Sequence, residues 1–380
     1  MKRIFAEIPL FGKAIAIYML ITCAISSAYG QGTVCMQKSV PYKAGKYAFS
    51  ACSADLNGDG KPDIAVVNYN GDDMVVLINN GDGTFKPAVT YVAGHYPTSV
   101  KAGDFNGDGK MDLAVSNVGS ETISIYLGNG DGTFQEKKDF PGGPFPCYVV
   151  VDDFNKDKKA DIAIANDSSN TVTIMLGNGD GTFTNKGSFR VGEYPSPVAV
   201  SDFDGDGNID LVVTNTGGNS VSVLLGNGDG TFKRASEYPV GHYPNCVTAG
   251  DFNGDGKPDI AAVNSGNGNV SILFNKGDGT FLKAVNVPAG GGGPISCVAL
   301  DANKDGKMDV ALCNAGTNNI SLLINDGTGK FLDPQTFQAG ISPICILVDD
   351  FNKDGYWDYV TVNNNESGSV SVFLGCPPKQ

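Results

Sequence analysis

"DFNGDGKMD", residues Asp104–Asp112, sets acids and an asparagine at alternate positions, then a glycine where the chain must turn sharply. A calcium-binding helix–loop–helix begins this way, with oxygen ligands at positions one, three and five and glycine at six. The continuation departs from that pattern. Such a loop ends on a bidentate Glu at position twelve, but here position twelve is Val115, inside "LAVSN", Leu113–Asn117. A short apolar run with β-branched residues reads as a strand. The stretch is a metal loop set between strands.

The loop occurs seven times, beginning at Asp55, Asp104, Asp153, Asp202, Asp251, Asp301 and Asp350, with every step 49 residues except one of 50. A fixed period of this size indicates a propeller or a solenoid. Each repeat carries four apolar runs. In the second they are "SVKAG" before the loop, "LAVSN" after it, "TISIYLG", and "TFQEKKDF" beyond the turn "NGDGTF". Short runs of Val, Ile and aromatics between Gly, Asn and Asp are antiparallel strands joined by tight turns. Four strands in each of seven repeats predict an all-β, seven-bladed β-propeller, with an open β-solenoid as the competing architecture. The last repeat stops at "SVSVFLGC", Ser369–Cys376, without the fourth run. The segment 34–44 aligns with that missing run, so an N-terminal strand is expected to complete the last blade and remove the open sheet edges.

Residues 1–30 read differently. Lys2 and Arg3 precede an apolar stretch from Ala14 to Ile25 and then small residues, as in a secretory leader, with cleavage expected near Gly30 or at Ala28. Twelve apolar residues are too few to span a bilayer. A lipoprotein signal ending at Cys23 is the minor alternative. The expected mature protein, residues 31–380, is thus one exported domain with no membrane span. Removing Lys2, Arg3, Lys13 and Glu7 takes the formal net charge from −14 to −16. The seven loops hold 22 of the acids, so the acidity follows from the loops. It argues against nucleic acid as a partner, which calls for a basic face.

Alternating carboxylate, amide and carbonyl oxygens suit Ca²⁺, whereas a transition metal would call for His or Cys. The expected side-chain ligands are the first, third, fifth and ninth residues of each loop. These are Asp55, Asn57, Asp59 and Asp63; Asp104, Asn106, Asp108 and Asp112; Asp153, Asn155, Asp157 and Asp161; and Asp202, Asp204, Asp206 and Asp210. The set continues with Asp251, Asn253, Asp255 and Asp259; Asp301, Asn303, Asp305 and Asp309; and Asp350, Asn352, Asp354 and Asp358. In six loops the seventh residue adds its carbonyl: Lys61, Lys110, Asn208, Lys257, Lys307 and Tyr356. Asp, Asn and Gly also form plain turns, but acids at positions one, five and nine in all seven loops favour ligation. The loop from Asp153 carries Lys158 where the others have Gly, so its site is expected to be the weakest or empty. The ions are expected to tie the first strand of each blade to the second, their binding becoming folding free energy.

These loops, with the "NGDGTF" turns, resemble the FG-GAP (VCBS-type) repeats of the integrin α-subunit propeller over residues 34–376. The resemblance implies an extracellular propeller with calcium on its lower face, used for adhesion or recognition. The further domains and membrane helix of integrin α-chains have no counterpart in the sequence, so integrin function is not carried over.

Alternating chain direction puts the acidic loops and the "NGDGTF" turns on one face and the blade-to-blade connections on the other. Eight residues before the first aspartate stand Tyr47, Tyr96, Phe145, Tyr194 and Tyr243, with Gly293 and Ser342 in the last two repeats. This arc either covers the blade junctions or forms a platform for a glycan or protein, as a similar aromatic cage does in the integrin family. Asn68, Asn117, Asn166, Asn215, Asn264, Asn314 and Asn363 are expected to be turn formers bonding their own backbone. His95 and His242 are expected at the rim. Six mature cysteines suit buried apolar positions. Cys35 and Cys376, aligned with Thr133 and Asn129 on either side of a tight turn, are expected to form a disulfide that closes the ring.

The expected function is recognition of an extracellular protein or glycan by a monomer. No paired acids, "GxSxG" or His cluster breaks the sevenfold pattern, so catalysis is not expected. A polysaccharide-active enzyme and a structural surface-layer repeat are the alternatives.

Overall fold

The computed structural model describes residues 33–377; the leader expected over 1–30 lies outside them. Seven four-stranded antiparallel sheets succeed one another along the chain. The second blade is typical, with an inner strand Pro97–Gly103, then Asp112–Asn117, Thr122–Tyr126 and an outer strand Lys138–Pro141. Each inner strand contacts the inner strand of the next blade, and Pro343–Asp349 contacts Ala48–Ala54, so the ring is closed.

Burial explains the strand assignments. Every second strand, Asp112–Asn117 among them, is buried at all positions because a neighbouring blade packs on each face. Outer strands such as Lys138–Pro141 alternate exposed and half-buried residues. The apolar core is accordingly divided among the blade junctions. One cluster joins Leu56, Val67 and Met74 of the first blade to Val100, Leu113 and Tyr126 of the second. Another joins Val66 and Val75 of the first to Val360 and Val372 of the last.

The closing strand is Val40–Lys43, which pairs with Ser369–Phe373 in the register Val40↔Val372 to Lys43↔Ser369. Beside it Cys35 lies opposite Cys376, with Cα atoms 5.1 Å apart and the sulfurs joined as a disulfide. This pair takes the place of Asn129 and Thr133, whose backbones are bonded at 2.9 Å in the intact second repeat.

Aromatic pairs reinforce the junctions. The residue after the first aspartate packs against the Phe of the following blade's "GTF": Phe105 on Phe183 at 5.5 Å, Phe203 on Phe281 at 5.5 Å, and Phe351 on Phe85 at 5.9 Å between centroids. The last of these spans the seam where the chain's two ends meet.

Candidate functional site

Each acidic loop is folded around its own carboxylates. Asp104 Oδ1 accepts from the N–H groups of Gly107 at 2.7 Å and Asp108 at 3.2 Å, while Oδ2 accepts from Gly109 at 2.9 Å. Asn106 Oδ1 accepts from Asp108 N–H at 3.0 Å, and Asp108 Oδ1 from Lys110 N–H at 3.0 Å. The turn needs left-handed backbone at its fourth and sixth positions, which Gly107 and Gly109 adopt at φ 75° and 77°. In the irregular loop Lys156 and Lys158 adopt it at 62° and 67°, and Asp153 still accepts from Asp157 and Lys158. The replacement of Gly by Lys158 therefore leaves the loop's shape intact.

The ninth aspartate has a structural role besides any ligation. Asp112 is fully buried, its Oδ2 accepting from Phe105 N–H at 2.9 Å and its Oδ1 from Gly128 N–H at 2.7 Å. It thus ties the loop to the end of the third strand. The same two bonds recur at Asp63, Asp161, Asp210, Asp259, Asp309 and Asp358. Burial pushes these six carboxyls up to about 6, against the backbone N–H groups that favour the charged form; Asp112 moves the same way.

The loops also reach the following blade. Gly132 N–H donates to Leu56 O at 3.1 Å and Gly181 N–H to Phe105 O at 2.9 Å. Asn275 and Asn325 send their side-chain amides to Phe203 O and Phe252 O at 2.8 and 2.6 Å. An ion in a loop would therefore sit at a blade junction as well as between two strands of one blade. The repeated Phe of "DFN" and "GTF" was the sequence signal for this junction.

The residues fit a hard cation, and the loop from Asp202 brings the most carboxylates to it. Carboxylate oxygens of Asp202, Asp204 and Asp210 lie within 4.8 Å of one another. Elsewhere the seventh-position lysine pairs with the fifth-position acid, as Lys61 does with Asp59 and Lys110 with Asp108, both at 3.4 Å. The loop from Asp202 has Asn208 at that position, its amide bonding Asp206 at 2.8 Å, and here Lys233 pairs with Asp204 at 3.5 Å. In the last loop Tyr356 N–H donates to Asp354 Oδ1 at 2.8 Å.

On the opposite face the five aromatics share one unusual backbone conformation. Tyr47, Tyr96, Phe145, Tyr194 and Tyr243 have φ between 53° and 58°, and Gly293 and Ser342 follow suit at 61° and 53°. Side-chain amides and carboxylates of the preceding blade hold the N–H groups there: Asp72 holds Tyr96 at 2.9 Å, Asn170 holds Tyr194 at 3.0 Å and Asn219 holds Tyr243 at 3.0 Å. Bulky residues are uncommon at such φ. Phe145, Tyr194 and Tyr243 are 40%, 59% and 60% exposed, so they do not serve chiefly as packing. The Tyr243 ring rests on Gly266, where an added Cβ would come within 2.9 Å of it. Tyr47 and Tyr96 are half-buried, and Tyr96 stacks on Tyr69 and His95 with centroids 4.8 and 3.8 Å away. His95 in turn bonds Asp72 through Nδ1 at 2.8 Å.

The seven asparagines do more than form turns. They are buried ends of the second strands and brace neighbouring elements as well as their own turns, Asn117 Nδ2 also donating to Val115 O and Thr122 O at 3.4 and 3.3 Å. Asn117 Nδ2 donates to Ser124 Oγ at 2.9 Å while its Oδ1 accepts from Gly94 N–H at 3.0 Å. Asn215, Asn264, Asn314 and Asn363 reach Ser222, Ser271, Ser321 and Ser371 in the same way.

Among the described residues no helix is long and apolar enough to cross a membrane. No curated protein matches the chain. Solved structures share its fold at low identity. The BBS1N chain of a complex with ARL6DN is 12% identical with a TM-score of 0.65, covering 89% of this chain and 96% of that one. An Agrocybe aegerita lectin recognising non-reducing terminal N-acetylglucosamine is 19% identical with a TM-score of 0.54, covering 92% and 88%. Virginiamycin B lyase from Staphylococcus aureus is 12% identical with a TM-score of 0.59, covering 90% and 99%. The sequence profile of the FG-GAP-like repeat matches in six overlapping pairs of repeats, 55–115, 104–164, 153–213, 202–262, 251–312 and 301–361. With seven blades, each built on an acidic loop, and that profile running through most of its length, the chain belongs to the FG-GAP-like repeat family.

Proposed function

We propose that this protein is an exported, calcium-stabilised propeller that recognises a protein or glycan through the face opposite its acidic loops. The observation that carries the reading is the set of solvent-exposed rings on left-handed backbone, chiefly Tyr194 and Tyr243. Glycine would meet the same φ without steric cost, as Gly293 does in the sixth blade. Unfavourable backbone retained for an exposed ring points to a role in contact. Aromatic faces suit the apolar face of a sugar or a partner side chain, and their few rotamers keep the ordering cost of binding low. The lectin and the ARL6DN-bound chain illustrate that propellers of this shape serve such partners.

Calcium is assigned to the acidic loops by their donor set, with the loop from Asp153 as the weakest site. When bound it supplies the positive charge that lets three or four carboxylates stand together. Chelation should lower the melting temperature of the mature protein, and added Ca²⁺ should restore it; equal melting in both conditions would sink the assignment.

The recognition face is tested with a glycan array and a pull-down from cell-surface extracts, comparing the wild type with Tyr194→Gly/Tyr243→Gly. Glycine suits the backbone at both positions, so stability should stay within about 1 kcal/mol of wild type while binding falls at least tenfold. Binding that survives the double change, or falls only in step with stability, would overturn the reading. Release of reducing ends from a polysaccharide would replace it with an enzymatic one.

A further inference from the structure

The junction between the sixth and seventh blades is built differently from the others. Elsewhere the second residue of an acidic loop offers its carbonyl to the turn of the following blade. Leu56, Phe105, Phe154 and Phe203 accept in this way from the N–H groups of Gly132, Gly181, Gly230 and Gly279. Phe252 and Phe351 accept from the side-chain amides of Asn325 and Asn79. The seventh blade lacks that turn, and the loop before it carries Ala302 where the others have Phe or Leu.

The next acidic loop makes the connection instead. Trp357, the eighth residue of the loop from Asp350, packs against the cluster that holds Ala302. Its indole Nε1–H donates to Asp301 O, the first residue of the preceding loop, at 2.8 Å. A second contact joins the same two loops, with Lys304 Nζ 5.0 Å from the centre of the Tyr356 ring. Among the described residues no other pair of acidic loops is joined by a side-chain hydrogen bond.

Both ends of the indole bond sit among ligand-type residues. The Asp301 carboxylate gathers its own loop, accepting from Asp305 N–H at 2.9 Å and Gly306 N–H at 2.8 Å. Trp357 stands between Tyr356 and Asp358, and Asp358 accepts from Phe351 and Asn352 N–H at 2.8 and 3.2 Å. Ordering the backbone on either side of Trp357 therefore places the indole, and through it the start of the other loop. A bond of this kind passes order in both directions equally. Charge works against it, because each loop holds three aspartates and filling one weakens the negative field at the other. Between exposed groups that field is screened over about 8 Å at physiological salt, whereas the indole bond is direct and partly buried.

We propose that Trp357 is a positioning residue that couples the loops from Asp301 and Asp350, so that they take up Ca²⁺ as a cooperating pair. The coupling rests on calcium being the ion of these loops.

Trp357 is the only tryptophan in the chain, so its emission reports this junction alone. The mature protein is stripped with chelator and titrated with Ca²⁺ at physiological salt, and the emission should change as the ion is added. Asp305→Ala removes a ligand from the loop from Asp301 only, yet the change that remains should need about fivefold more Ca²⁺ or beyond. Asp354→Ala in the loop from Asp350 should act in the same way. Urea unfolding then compares both single variants and the double variant on wild-type and Trp357→Phe backgrounds. With Ca²⁺ the two losses should be non-additive on the wild-type background. They should become additive in chelator, and also with Trp357→Phe, which keeps a ring in the cluster but has no N–H to donate. An emission unchanged by Ca²⁺, unshifted midpoints, or non-additivity that survives chelation or Trp357→Phe would overturn the coupling and leave the calcium assignment standing. Equal melting with and without chelator would remove the assignment and the coupling together.

Discussion

An aspartate with no exposed surface accepts two backbone N–H groups in every blade, one from its own loop and one from the end of the third strand. At Asp112 these bonds hold Phe105 and Gly128 in place whether or not an ion is present. Asp108, by contrast, is exposed, bonds one backbone N–H and pairs with Lys110. The two residues should therefore respond differently to the same substitution. Asp112→Ala leaves two buried donors without an acceptor and should cost about 3 kcal/mol in urea unfolding, with chelator or without it. Asp108→Ala should be nearly silent in chelator and destabilising only with Ca²⁺. It should then cost more than Asp157→Ala in the irregular loop. A calcium-dependent loss at Asp112 alone would make that residue a ligand first and a structural tie second.

At the scale of elements, the acidic loop is a joint between blades, and its second residue is the pin. Phe351 is fully buried and meets Phe85 across the closing seam. Phe351→Ala should destabilise by about 3–5 kcal/mol, the usual loss for emptying a packed aromatic site. Calorimetry would check this, and a cost under about 1 kcal/mol would show that the seam does not depend on the pair. Leu56 and Ala302 are the two exceptions to Phe at this position: Leu56 still packs in one cluster with Phe134, whereas the blade after Ala302 lacks a "GTF" turn and Val34 and Met36 pack there instead. The period, the strand count and the closing strand were all legible in the sequence because each depends on local pattern and spacing. The bracing role of the buried asparagines was not legible because their further partners, such as Ser222 beside Asn215, are neighbours only after the sheet has formed. The aromatic position was found by alignment, but its left-handed backbone was not. That conformation is imposed by Asp72, Asn170 and Asn219 of the preceding blades, 24 residues away in the chain.

For the whole molecule, closure is the property on which the other scales depend. A ring of blades has as many junctions as blades, and one of them must join the chain's beginning to its end. Here Val40–Lys43 supplies the outer strand of the last blade, and the Cys35–Cys376 disulfide locks it beside Gly375. Three kinds of contact cross that seam: the strand pairing, the packing of Tyr42 and Phe351 with Phe85, and the covalent bond. Only the bond constrains the unfolded chain, because it ties residues 341 apart. Chain-entropy reasoning for a loop of that size puts the stabilisation at about 6 kcal/mol. Peptide mapping without reductant should recover Cys35 joined to Cys376; free thiols at both positions in protein from an oxidising compartment would refute the linkage. Cys35→Ala/Cys376→Ala should then unfold at lower urea than the wild type. If strand pairing alone held the seam, the double variant would match the wild type, and the bond would be incidental to closure. The expected loss of several kcal/mol would instead make the covalent tie the main defence against the first blade peeling from the last.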